Sequence, residues 1–308
     1  MKTSTSKRLR WNVAIWLAAG LFMTSTAGMA SGPILPDPKA EARHHPQIEE
    51  TANGIPLVNI TAPSSGGVSR NEYEMFNVPD KGAILNNSYT LSKTELAGYV
   101  PGNNNMAERP AKIIVNEVTG TGSTSMDGFL EVAGNRADVV IANPNGITVN
   151  GGGFIHTGKA FLTTGKPVYD GEDHLQRFDI TGGDILIEGK GLNGKEAGSL
   201  AILSRAVKIN AGIWAKDLHI TTGANSIDAK TLEASAIEGK GGHPAFALDT
   251  AAIGGMYAGR ITLVGTEKGL GVNNSGTWSA EDNLTLDWNG DLKNSGTIYS
   301  KGNTDLRA

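Results

Sequence analysis

Apolar residues in this chain come in short runs, separated by polar turns rich in Gly and Asn. From Lys112 onward the runs include Ile113-Ile114-Val115, Val139-Val140-Ile141, Ile185-Leu186-Ile187, Leu200-Ala201-Ile202-Leu203 and Val207-Lys208-Ile209. Leu218-His219-Ile220, Ile261-Thr262-Leu263-Val264 and Leu284-Thr285-Leu286 follow. Several alternate apolar with polar, which puts one side in a core and the other in water, the signature of a strand. No stretch sustains a 3.6-residue period, so the prediction is an all-β protein.

A repeat narrows the architecture. Asn274-Ser275-Gly276-Thr277 recurs 20 residues later as Asn294-Ser295-Gly296-Thr297, and Asn283-Leu284-Thr285-Leu286 recurs loosely as Asn303-Thr304-Asp305-Leu306. Trp278 is thereby matched to Ile298, and Leu286 to Leu306. Such a period marks a solenoid with one coil per repeat. Each unit has room for short strands but not for a helix, and the leucine-rich pattern is missing. The expectation is a right-handed parallel β-helix of about 20-residue coils with an N-terminal cap. Strands stack about 4.8 Å apart, with aliphatic side chains inward and asparagines at turns. The chain stops at Ala308 without a capping element, although solenoid edges need one. The expectation is therefore the front end of a longer protein, or a fibre-former whose open edge is its assembly surface.

Composition agrees. The 41 glycines and 6% aromatics suit tight turns better than helices. At the N-terminus, Lys2, Lys7, Arg8 and Arg10 precede the apolar stretch Trp11 to Met23 of 13 residues, then small residues up to Ala30. That order predicts a secretory signal peptide over residues 1–30; a membrane span would need roughly 20 apolar residues. Residues 31–50, with Pro33, Pro36, Pro38 and Pro46, read as a flexible leader in which His44-His45 is solvated. Without the first 30 residues the chain carries an acidic excess of eight, which argues against nucleic acid as a partner. There is no cysteine, which fits either a chain that crosses a pore unfolded or a domain large enough to need no staples.

Over Gly54 to Gly223 a series of segments appears in order. They are Leu57-Val58-Asn59-Ile60-Thr61-Ala62-Pro63, Gly67-Val68-Ser69-Arg70-Asn71-Glu72-Tyr73, Phe76-Asn77-Val78 and Gly82-Ala83-Ile84-Leu85-Asn86-Asn87-Ser88. Ile114-Val115-Asn116-Glu117-Val118, Asn143-Pro144-Asn145-Gly146-Ile147, Gly153-Phe154-Ile155-His156 and Leu162-Thr163-Thr164-Gly165 continue it. In this order they resemble the two-partner secretion domain of the filamentous haemagglutinin family, most closely the N-terminal region of contact-dependent inhibition toxins. The resemblance implies a secretion domain over residues 51–250 and haemagglutinin-type repeats from 251 to 308. It also implies Sec export and recognition in the periplasm by an Omp85-type outer-membrane transporter with POTRA domains. Folding at the cell surface would follow, with host or neighbouring-cell receptors as further partners. No cofactor and no enzymatic activity are implied for this module.

Two motifs carry the resemblance to secretion. Asn143-Pro144-Asn145-Gly146-Ile147 reads as a tight corner: proline fixes φ, Asn145-Gly146 supplies positive φ, and Ile147 returns the chain to the core. The family's first signature, an Asn-Pro-Asn-Leu run, corresponds to Asn103-Asn104-Asn105-Met106, where the missing proline predicts a less rigid turn. Val149 and Gly152 stand where many relatives carry a Cys-x-x-Cys pair. Two other readings compete. A β-helical polysaccharide-active enzyme needs clustered acids with a cation or a base; Asp282, Asp287, Asp291, Glu117 and Asp173-His174 are the candidates. His156, His219 and His243 are isolated, and Gly182-Gly183-Asp184 is a single, non-tandem match to a calcium-binding repeat. An autonomous adhesin could use Trp278, Trp288 and Tyr299 as an aromatic patch, but the same residues could equally belong to the core, Trp278 above all because it takes the place of Ile298 in the repeat.

Overall fold

The computed structural model describes residues 33–106 and 109–307, so the expected signal peptide lies outside the described residues. Short strands pair in parallel, rung upon rung, along three faces. One face stacks Ala83–Asn87, Phe129–Gly134, Gly152–Ile155 and Leu192–Gly194, then the first halves of Gly212–Thr222 and Gly255–Gly265, then Thr277–Ala280 and Thr297–Ser300. The second stacks Val68–Phe76, Ile113–Val118, Ala137–Ala142, Thr157–Thr163 and Ser199–Ser204, continues through the second halves of the two long strands, and ends with Leu284–Trp288 and Thr304–Arg307. The third is a seven-stranded sheet running from Thr124–Met126 to Leu292–Asn294. This is a parallel β-helix, and the repeat read from the sequence sets its register: Trp278 pairs with Ile298 and Leu286 with Leu306. Asn274 Nδ2 donates to Asn294 Oδ1, 20 residues on, at 2.8 Å.

Inward side chains form one core along the axis. On the second face Leu162, Ile202, Ile220, Leu263 and Leu286 stack in register, all fully buried. Each such burial contributes roughly 1.5–3 kcal/mol. Toward the N-terminus the same column turns polar, with Asn116 and Asn71 under Ile141. Both asparagines are buried but satisfied: Asn116 Nδ2 donates to Val140 O, and Asn71 Nδ2 to Val115 O.

Outward positions explain why some runs alternate and others do not. Val115, Val140, Phe161 and Ala201 point away from the rod, yet they are buried beneath a four-stranded antiparallel sheet that leaves the helix. That sheet is made of Lys166–Tyr169, Leu175–Ile180, Asn225–Asp228 and Ala234–Ala236. A strand covered on both sides reads as a continuous apolar run. Likewise the hairpin of Ser92–Thr94 and Gly98–Val100 brings Val100 and Leu96 over Leu57, Ile84 and Ala133. Glu131, projecting from its rung, accepts the backbone N–H groups of Glu95 and Leu96 at 2.7 and 2.9 Å and fastens that hairpin.

The flexible leader expected over residues 31–50 is not what the described residues 33–50 form. Ile34–Pro36 pairs antiparallel with Val68–Phe76, and Gln47–Glu50 with Pro56–Asn59. Ile34 is buried in the main core, and His44, in a short 3-10 turn at Ala42–His44, is buried against Glu72 rather than solvated. Prolines exclude helix but are tolerated on an edge strand, and the first rungs need backbone partners. The segment is the cap. At the expected boundary after residue 250 the sheet is continuous, with Leu248–Thr250 paired on both sides.

Replacing Ile220 by Ala should cost about 2–5 kcal/mol in urea unfolding, because the column cannot close over the gap. His219, next to it, has its pKa lowered by burial from 6.5 to about 4. The unfolded chain therefore takes up a proton first as pH falls, and stability contributed by the neutral ring is lost between pH 6.5 and about 4. His219→Gln should flatten that slope, read as the urea midpoint at pH 7 against pH 4.5.

Candidate functional site

Both motif segments are corners of the rod, and they are built alike. In the Asn143 corner, Asn143 Oδ1 accepts the Asn145 N–H at 2.9 Å, and Asn143 O accepts the Gly146 N–H at 3.1 Å. In the Asn103 corner, Asn103 Oδ1 accepts the Asn105 N–H at 2.9 Å, and Asn103 O accepts the Met106 N–H at 3.1 Å. An asparagine opening a turn and bonding the backbone two residues on is a local device the sequence encodes directly.

The remaining amide groups pin each corner to earlier coils. Asn143 Nδ2 donates to Gly122 O and Thr124 Oγ1, each at 3.0 Å, and Asn145 Nδ2 donates to Gly120 O at 2.8 Å. Asn103 Nδ2 donates to Ile60 O and Asn86 O, each at 2.9 Å, and Asn105 Nδ2 to Ile60 O at 3.1 Å. Asn143 and Asn103 are buried, and Ile147 and Met106 enter the core. Only Pro144, Asn145 and Asn104 are exposed. The corners hold chain together; none of their side chains is an acid, base or nucleophile.

Two details differ from expectation. Positive φ in the Asn143 corner belongs to Gly146 alone, at 112°, and not to Asn145. In the Asn103 corner the exposed Asn104 takes the place of Pro144 without changing the hydrogen-bond pattern. The missing proline therefore changes the freedom of the unfolded chain more than the folded turn.

Of the acids that sequence reasoning set apart, Glu117 and Asp173 are engaged in ion pairs. Glu117 and Asp173 come together, but around cations. Arg70 Nη2 lies 2.7 Å from Glu72, its Nε 3.4 Å from Glu117, and its guanidinium sits 4.3 Å over the Tyr169 ring. Arg43 contacts Asp173 at 2.5 Å, and His44 Nδ1 contacts Glu72 at 3.1 Å. Burial pushes the Glu117 carboxyl up, with Arg70 opposing it, and burial also raises the Tyr169 phenol. This cluster fastens the cap, the first two rungs and the outer antiparallel sheet to one another. Its sequence signal was the Arg70-x-Glu72 alternation, which places both charges on the outward side of one strand. Asp282, Asp287 and Asp291 are exposed turn or strand residues. Among the described residues no group of three or more His, Cys, Asp or Glu could hold a metal ion.

Of the two placements open to the candidate aromatics, patch or core, both tryptophans take the core. Trp278 and Trp288 are buried and bonded inside, to Thr250 Oγ1 and Leu270 O, because matching positions of successive coils point inward. Tyr299 stays half exposed. An outward aromatic pair does exist at Trp214 and Tyr257, neighbours in register with rings 16° from parallel and centroids 6.2 Å apart.

Comparison with known proteins bears on the whole rod. The TPS secretion domain family matches residues 33–298. "Toxin CdiA" of Yersinia pestis is 42% identical over 298 residues, covering 89% of this chain and 9% of that protein. "16S rRNA endonuclease CdiA" of Enterobacter cloacae is 43% identical over 284 residues, covering 91% of this chain and 8% of that protein. A crystal structure of a filamentous hemagglutinin secretion domain superposes with a TM-score of 0.76 at 30% identity, covering 90% of this chain and all of that one. The chain thus spans less than a tenth of the length of these toxin relatives.

Asn143→Ala and Asn103→Ala should each lower stability by about 1–3 kcal/mol, because each strands buried backbone acceptors. Asn104→Pro should raise it by about 0.4–1 kcal/mol, since the folded turn already matches the proline-bearing one. Urea unfolding of the three variants checks both signs.

Proposed function

The chain belongs to the TPS secretion domain family, and from that premise we propose that it is the export and scaffold module of a much longer exoprotein. The single observation carrying this reading is the family match over residues 33–298, which takes in the cap, the outer sheet and nearly all the rungs. Its partner is an outer-membrane transporter of the Omp85 type whose periplasmic POTRA domains receive the chain after Sec export. The product reaches the cell surface or the medium. Toxin and nuclease names belong to whole relatives more than ten times longer than the aligned segment, so such activity would reside outside this module. The cluster of Arg43, Arg70, Glu72, Glu117 and Asp173 is consumed in ion pairs, which supports a scaffold over an enzyme.

Under this reading the two asparagine corners serve export by shaping the rod. With the partner transporter co-expressed, deleting residues 54–150 from the full-length exoprotein should abolish surface exposure and leave the precursor inside the cell. Undiminished secretion would overturn the proposal. Asn143→Ala should reduce secretion only as far as it reduces stability, measured in parallel by surface protease accessibility and urea unfolding.

A further inference from the structure

A second group of polar side chains, at the seam between the rod and the outer sheet, is built differently from the ion pairs around Arg70. Ser65 and Gly66 lie in the turn that leads into Val68–Phe76, and Asp170 and His174 in the turn between Lys166–Tyr169 and Leu175–Ile180. Folding brings Ser65 and His174 together from 109 positions apart, with Ser65 Oγ 3.3 Å from His174 Nε2. His174 Nδ1 in turn lies 3.0 Å from Asp170 Oδ2. Hydroxyl, imidazole and carboxylate are thus linked in the order that a serine nucleophile, its base and the base's orienting acid require. Distances a little above 3.2 Å are ordinary between nucleophile and base when no substrate is bound.

The arrangement is held from both sides. Asp170 Oδ1 accepts the backbone N–H groups of Glu172 and His174 at 2.9 and 3.0 Å, and Oδ2 accepts Gln176 Nε2 at 3.2 Å. The backbone bond from His174 foremost, then that from Glu172, holds the Asp170 carboxyl below its ordinary range. An ionised carboxylate can only accept, so the imidazole proton sits on Nδ1 and the Nε2 lone pair faces Ser65. On the other side the ring lies against Gly66, where a Cβ would come within 2.0 Å of His174 Cδ2 and 2.5 Å of Nε2. Glycine at 66 is what lets the imidazole reach the hydroxyl. Glu172 Oε2, 3.9 Å from His174 Nε2, is placed to favour the imidazolium that forms when the base takes a proton. Among the described residues the Ser65 and Gly66 N–H groups have no acceptor, and Ser65 opens on a groove of ≈ 1050 Å³.

We propose that Ser65, His174 and Asp170 form a hydrolytic relay for carboxylic esters of short acids, an activity beyond the export and scaffold role. Ser65 Oγ bonds to the ester carbonyl carbon while its proton passes to His174 Nε2. The carbonyl oxygen gains the negative charge and is met by the free N–H groups of Ser65 and Gly66. The bond from that carbon to the alkoxy oxygen then breaks, and the leaving alcohol takes the proton back from His174. Water repeats the sequence on the acylated Ser65, releasing the acid and restoring the hydroxyl. Asp170 acts through His174, as its positioning residue. Ser65 and Gly66 are exposed rather than walled in, which suits short acyl groups.

Hydrolysis of p-nitrophenyl acetate by the purified chain, together with labelling by a fluorophosphonate probe, tests this. Peptide mass spectrometry should find the label on Ser65. Ser65→Ala should lose the label and at least tenfold of the rate, whereas Ser199→Ala, a hydroxyl lining the same groove, should keep both. Asp170→Asn keeps an oxygen for the two backbone N–H groups but turns an amide N–H toward His174, reversing the tautomer. It should lower kcat at least tenfold with KM and melting unchanged. Absence of label on Ser65, a rate indifferent to Ser65→Ala, as surface histidines alone would give, or an Asp170→Asn variant as active as the parent would each overturn the proposal.

Discussion

A parallel rod is stable only when each coil sets its aliphatic side chains directly on those of the coil before it. Leu162, Ile202, Ile220, Leu263 and Leu286 do this over five successive rungs, and a slip of one residue in any rung would turn that face outward. The buried asparagines guard the register where the aliphatic column gives way. Asn71, Asn116 and Asn86 each find a partner only when neighbouring coils are in step, because an orphaned amide in the core costs more than a bonded one contributes.

The ends and flanks are solved with the same economy of local devices. The cap presents antiparallel strands to the first rungs, so no long row of backbone groups is left bare there. The outer sheet and the hairpin cover the apolar outward positions of the early rungs, while in later rungs the outward column after Ala201 continues as His219, Thr262, Thr285 and Asp305. Arg70, Glu72 and Glu117 mark one rim of the outer sheet's footprint, where an apolar contact gives way to an ionic one.

Much of this was legible in the residues. The 20-residue repeat matched Trp278 to Ile298 and Leu286 to Leu306, and those pairs are in contact in the sheet. The Asn143 corner was marked by its Asn-Pro-Asn-Gly order, and the Asn103 corner by its resemblance to the family's first signature. The cap was not, because its prolines and charges look the same in an edge strand as in a loose tail; the difference lies in distant partners such as Phe76 and Val58. The side of each Trp follows from its neighbours: Trp278 lies between the polar Thr277 and Ser279 and points in, whereas Trp214 lies between Ile213 and Ala215, which take the inward positions and send it out. Ion pairs such as Arg43 with Asp173, 130 residues apart, leave no local trace.

The outer sheet departs from the helix and comes back without disturbing it. Between Asp217 and Arg260 the chain inserts a long detour, yet the two residues pair 43 positions apart in the same register as neighbours one plain coil apart. Coil length and rung alignment are thus uncoupled at that bend. An excursion of the chain can hang from that bend while the axle beneath keeps its pitch.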